Sequence, residues 1–189
     1  NAAAAGVVTT DNELGEMGIE ITGEYLTKKV TWQNLNVPYN MGGQWSLEIN
    51  EGGSLTIMPG VTVLMTEDFL LRVGYETEGK LVAVGTEEEP ITFTSAMNDK
   101  YPGDWQGICF DEYVGACKVL YGGRGGSANV DFYYTKGKVS LTNSEIAYSA
   151  NWGIRVRDDD GIMPTLSNNN YHDNGSNYIH DVEHPDADM

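Results

Sequence analysis

The chain has 189 residues, with 28 Asp and Glu against 11 Lys and Arg, a formal net charge of −17. That length suits one domain, or one segment of a repeat protein, with a continuous core. So acidic a surface repels nucleic acid and anionic membranes, and repels polyuronates and sulfated glycans unless divalent cations intervene.

No stretch approaches the roughly 18 apolar residues that a membrane-spanning helix needs. The acidity reads first as a solvated surface, with calcium binding as the alternative. Residues 1–18 show no hydrophobic period and read as an extended lead-in or linker. A first residue of Asn rather than Met leads us to expect that a leader has been removed.

From residue 19 the pattern changes. Short apolar runs rich in Val, Ile, Leu and Thr alternate inward and outward positions and are broken by Pro and Gly, most plainly over residues 54–95. This is strand, turn, strand, with no room for helices between. Strands at 19–22, 29–32 and 37–41 make a first coil, and 45–49, 55–57 and 61–65 a second. The third holds 70–73, 81–84 and 91–94; the fourth has 105–110 and 118–121 around a shortened middle. A fifth takes 130–132, 139–141 and 145–148, a sixth 153–156, 165–167 and 169–171, and 178–182 opens a seventh.

Strands this short cannot bury a face alone and must stack on copies of themselves. Residues 141–154 repeat as 166–179 at a constant offset of 25, pairing Leu141 with Leu166, Ile146 with Tyr171 and Ile154 with Ile179. Coil starts recur every 23 to 26 residues except for one interval of 36, whose surplus is the loop 96–104. The fold class is therefore all-β, a single-stranded parallel β-helix of about six to seven coils of ~25 residues. Alternation puts Leu47, Ile49, Leu71, Val73, Ile108, Phe110, Val130, Phe132, Ile154, Val156 and Ile179 inside. A second inner wall takes Val61, Val63, Ile91, Phe93, Val119, Tyr121, Ile146 and Tyr148. The helix spans 19–182, and the tail 183–189 cannot cap its last coil, so the chain is expected to be a segment of a longer protein.

The stretches LTIMPGVTVLM (55–65), KLVAVGTEEEPITFTS (80–95), PGDWQGICF (102–110) and VLYGG (119–123) resemble the right-handed parallel β-helix proteins of the pectin-lyase-like superfamily. The likeness is strongest to secreted bacterial β-helix repeat proteins. It implies the fold and a secreted or cell-surface setting, while such coils serve lyases, hydrolases, adhesins and plain surface modules alike.

Several clusters could carry chemistry. The outward positions of the first strand column form a line, Glu48, Arg72, Cys109, Asp131, Arg155 and His180, one per coil about 4.8 Å apart. In the catalytic reading Arg72, Asp131 and Arg155 act together with Asp158 and Asp159; the alternative is a row of cross-strand ion pairs. Asp158, Asp159 and Asp160 are either a solvated turn or a calcium site, and calcium is the one cofactor this reading admits. The companion Gly-His-Gly and Arg-x-Lys elements of β-helix galacturonan hydrolases are missing. His180 and His184 have helical metal-pair spacing, but Pro185 and a strand-like context argue against a helix there.

Tyr101, Asp104, Trp105, Tyr113, Arg124, Tyr133 and Trp152 gather in or beside loops and would suit a sugar, which stacks its C–H face on rings, while Trp105 in its GDW-x-GI motif also reads as a cover for the coil corner. Cys109 and Cys117 stand eight apart across a loop with Gly115; a disulfide and two thiols are both consistent with that spacing. The function expected is a non-catalytic extracellular or cell-surface module that binds carbohydrate. The alternatives are a polysaccharide lyase or glycoside hydrolase, and an adhesin-type module that associates end to end. Glycans, further domains of a parent protein and a second copy are the expected partners.

Overall fold

The structure is a computed structural model that describes residues 18–22, 24–42, 45–75, 77–110, 118–133, 140–157 and 163–180. Of Lys118, Tyr133, Ile179 and His180 it describes the backbone alone. The lead-in up to residue 17 and the tail lie outside the described residues, as do Tyr113, Cys117, Asp158, Asp159, Asp160 and His184. The Cys109–Cys117 pairing and the aspartate calcium site lie outside them too.

Among the described residues, nineteen short strands wind as a right-handed parallel β-helix. β1 (Ile19–Ile21) precedes a first coil of β2 (Tyr25–Leu26), β3 (Lys29–Trp32) and β4 (Tyr39–Met41). Then come β5 (Ser46–Ile49), β6 (Gly53–Ile57) and β7 (Thr62–Met65), followed by β8 (Leu70–Val73), β9 (Gly79–Ala83) and β10 (Thr92–Ser95). β11 (Gly107–Phe110) and β12 (Lys118–Leu120) follow, then β13 (Ala128–Tyr133), β14 (Ser140–Thr142) and β15 (Glu145–Ala147). β16 (Trp152–Arg157), β17 (Thr165–Ser167), β18 (Asn170–His172) and β19 (Ser176–His180) complete the order.

The first side is the seven-stranded sheet β2-β5-β8-β11-β13-β16-β19, and the third side the seven-stranded sheet β1-β4-β7-β10-β12-β15-β18. The second side carries β3-β6-β9 and β14-β17. All strand pairs among the described residues are parallel, and the solenoid makes about five turns, slightly fewer than the expected six to seven coils.

Period-two alternation explains the core. Leu47, Leu71, Ile108, Val130 and Ile154 stack in one inward column, and Ile49, Val73, Phe110, Phe132 and Val156 in the next, all buried. Across from them Tyr39, Val63, Phe93, Val119 and Ile146 stack on the third side. Each coil thus buries a slice that it could not bury alone.

Three expectations need correction. β1 stacks on β4 of the third side rather than opening the first coil, which takes Tyr25–Leu26 as its first strand because Leu26 pairs with Ile49 and is buried. Tyr121 and Tyr148 do not point inward. Their strands stop one residue earlier, and both sit at left-handed corners (φ 65° and 58°) with rings stacked 4.8 Å apart.

The third correction is a register slip. Ile154 pairs with Tyr178 and Val156 with His180, so the backbone of Ile179 takes the register position beside Arg155. The turn from β15 to β16 has four residues (148–151), whereas that from β18 to β19 has three (173–175). Gly175 permits the shorter turn: a Cβ there would stand 2.6 Å from Asn151 O and 2.9 Å from Ala150 O. A one-residue change swaps every side chain between faces.

Corner asparagines bind neighbouring coils. The fully buried Asn129 accepts from Gly122 N–H (2.8 Å) and donates to Val119 O (3.0 Å) and Ala147 O (2.8 Å). Asn174 repeats the device, accepting from Ser149 N–H at 3.0 Å and donating to Ile146 O at 2.9 Å. Each buried group left unsatisfied costs about 1–3 kcal/mol. Asn129→Ala is therefore expected to lower unfolding free energy by about 3 kcal/mol, as a shift in urea midpoint with unchanged slope.

Candidate functional site

The first sheet's outer face is built by the same alternation that fills the core. Every second residue of β5, β8, β11, β13 and β16 points outward, and parallel register stacks them in a column. Reading along the axis, Tyr25, Glu48, Arg72, Cys109, Asp131 and Arg155 occupy it, as the sequence leads one to expect from Glu48 onward. Ile179, not His180, comes next.

Above this column lies a groove of about 320 Å³, lined by Leu70, Arg72, Tyr75, Gln106, Cys109, Ser127, Asp131, Arg155 and Arg157 among others. Three of the chain's 11 basic residues therefore face one hollow on a molecule of net charge −17. Its floor is ionic and closed. Arg155 donates to Asp131 Oδ2 through Nε (2.9 Å) and Nη2, and through Nη1 to Gly126 O (2.9 Å). Arg157 Nη2 reaches the same Oδ2 at 3.4 Å. The Asp131 and Arg155 side chains are only 10% and 8% exposed, which makes this a buried pair rather than a surface one. Trp152 supports the guanidinium from the side, its ring centre 5.1 Å from Arg155 Cζ.

The other end is open. Arg72 contacts Glu48 Oε1 at 3.4 Å, with side chains 31% and 17% exposed, and lies 4.3 Å over the exposed Tyr75 ring. Gln106 is held by a 3.0 Å bond from Nε2 to Asp68 O.

The described members of the loop cluster expected to hold a sugar lie on loops joined by main-chain bonds such as Gly103 N–H to Gly122 O (3.1 Å) and Arg124 N–H to Trp105 O (3.2 Å), and their side chains take different roles. Trp105 is fully buried and its indole N–H donates to Leu120 O at 2.9 Å, so it plugs a coil corner instead of meeting ligand. Trp152 stands behind Arg155. Arg124 is drawn to Glu67 (3.0 Å) and Asp68 (2.7 Å), and Asp104 Oδ2 accepts from the Tyr101 main-chain N–H at 3.0 Å. Tyr101 alone of these rings is strongly exposed among those described. Tyr133 contributes a backbone position opposite Arg157.

Tyr75, Gln106, Ser127 and Arg157 are groove residues missed in the sequence. Arg157 was legible, two residues beyond Arg155 in the same alternation; Ser127 sits at the corner just before β13, where alternation gives no facing. Among the described residues no group of three His, Cys, Asp or Glu could hold a metal ion.

The charged groups described at the groove floor are paired with one another. A general acid or base must reach the proton it moves. Here Asp131 Oδ2 and the Arg155 guanidinium are spent on each other beneath the groove.

No curated protein and no solved structure matches the chain. The pectate-lyase-like beta helix domain matches over residues 23–149, a stretch that includes β2 to β15 and with them the Glu48, Arg72, Cys109 and Asp131 positions of the groove column. The match covers more than half of a chain that winds as a parallel β-helix, and this chain belongs to the pectate-lyase-like β-helix family.

Proposed function

We propose that the domain is a non-catalytic carbohydrate-binding module of a larger secreted or cell-surface protein, and that the saccharide lies in the groove of the first sheet. The paired Asp131–Arg155–Arg157 floor supports the reading, because it leaves a walled hollow with hydrogen-bonding groups and, among the described residues, no freely presented acid–base pair. Tyr75 offers a ring edge and face to sugar C–H groups, and Arg72, Gln106 and Ser127 surround it with groups suited to hydroxyls. The extracellular setting rests on the resemblance to secreted repeat proteins.

The test is retardation in native gels containing neutral and acidic polysaccharides, with and without calcium, alongside assays for new reducing ends and unsaturated products. We expect retention without product. Tyr75→Ala, an exposed site whose loss leaves folding intact, should weaken retention by about tenfold, equivalent to roughly 1.4 kcal/mol. Product that disappears in Arg155→Lys would replace this reading with that of a lyase or hydrolase. Absence of retention on the whole panel would refute binding.

A further inference from the structure

His172 ends β18 on the outer face of the third sheet. Its Nε2 lies 3.3 Å from Glu145 Oε1 on β15, and its Nδ1 lies 2.8 Å from Asp173 Oδ2 at the following corner. A neutral imidazole has one N–H and can donate to one of these carboxylates; the imidazolium donates to both at once. The ring is further located by Tyr148, which it meets edge-on at 5.4 Å. Glu145 and Tyr148 belong to one coil, His172 and Asp173 to the next.

We propose that His172 is a proton-operated clip that fastens the coil β17–β18–β19 to the coil beneath it. Among the described side chains, the charged groups placed against the imidazole are acidic, Glu145 from β15 and Asp173 from its own corner, and the Tyr148 ring is a further neighbour. Lys118 of β12 stands at the register position next to Glu145, one coil further back. The strip that the clip fastens covers buried residues, since Leu166, Tyr171 and Tyr178 lie in register over Leu141, Ile146 and Ile154.

The hydrogen bond to Asp173 raises the imidazole's pKa above its ordinary 6.5, burial opposes this, and Glu145 adds to the rise. A group whose pKa is raised by folding stabilises the fold fully below its unfolded pKa and loses that contribution as pH climbs through the folded value. The clip is therefore closed below about pH 6.5 and released above the folded-state pKa. Release loosens the outermost described coil while leaving the earlier coils stacked, a local opening rather than global unfolding.

The test combines NMR titration of the imidazole with amide exchange, corrected for intrinsic rates, between about pH 5.5 and about pH 8. The reporters are the Tyr148, Asn170 and Ser176 N–H groups, which donate across the two coils to His172 O, Ser144 O and Asn151 O. We expect His172 to titrate above 6.5 and these protection factors to fall severalfold as it deprotonates. The Leu70 amide, on the other side of the molecule, should stay constant. Glu145→Gln should lower the titration midpoint, and His172→Gln should make protection of the three amides independent of pH. Titration at or below 6.5, or the same pH-dependent loss in His172→Gln, would overturn the proposal. If His172→Gln does not fold, the Glu145→Gln midpoint decides alone, and no downward shift would overturn it.

Discussion

Asp131→Ala is expected to destabilise the domain by about 3–5 kcal/mol, the cost of breaking a buried pair from one side. β13 holds Asp131 outward but beneath the groove, where Arg155 meets its Oδ2 through Nε and Nη2. Removing the carboxylate leaves a guanidinium that is 8% exposed with Gly126 O as its remaining acceptor. Glu48→Ala, which breaks the more exposed Arg72 pair at 3.4 Å, should cost less than about 1 kcal/mol. Urea unfolding of both variants measures the contrast. Asp131→Leu combined with Arg155→Met should recover most of the loss, because apolar residues of similar volume avoid the desolvation that the pair must offset. A cost near that of Glu48→Ala would mean that Asp131 is solvated and free to act on a bound ligand, reviving the catalytic reading.

Trp105→Ala is expected to cost a similar amount, about 3–5 kcal/mol, with no direct effect on ligand. The indole is buried at the corner after the 96–104 loop and closes it by donating to Leu120 O. Truncation opens a cavity and strands that carbonyl. Below its lowered melting point the variant should bind polysaccharide with wild-type affinity, whereas Tyr75→Ala should bind weakly at wild-type stability. The pair of variants separates a ring that holds the fold from one that meets a sugar. Reversed results would restore the loop cluster as the binding site.

The repeat and the inward columns were legible because they obey one rule applied many times. Leu47, Leu71, Ile108, Val130 and Ile154 stack as alternation requires, and the outward column holds through Arg155. Alternation fails where strands end. Tyr121 and Tyr148 read as two more inward positions, yet the corner conformation turns them aside, and a corner is a property of the backbone rather than of hydrophobic period.

The site was half legible for a related reason. The sequence placed Arg72, Asp131 and Arg155 on one face, but whether charged groups are presented or consumed depends on distances between coils. A Trp beside charged residues looks alike whether it faces water or fills a corner, and of the two readings open for Trp105 the corner cover is the one its full burial fits. Gln106 and Ser127 stand at the corners just before β11 and β13, where alternation gives no facing.

The three-residue turn before β19 has an implication for how such a molecule can change. Each strand's facing is set by the count of residues in the turn that feeds it, independently of the other two sides. Loss or gain of a single turn residue can thus exchange the inner and outer sets of one strand while leaving β14 on β17 and β15 on β18 in their 25-residue register. Insertions in a solenoid act like a rotary selector, choosing which half of a strand's alphabet is shown to water. New surfaces can then arise without altering one residue of the strand itself, provided that the hidden half is apolar enough to take its turn inside.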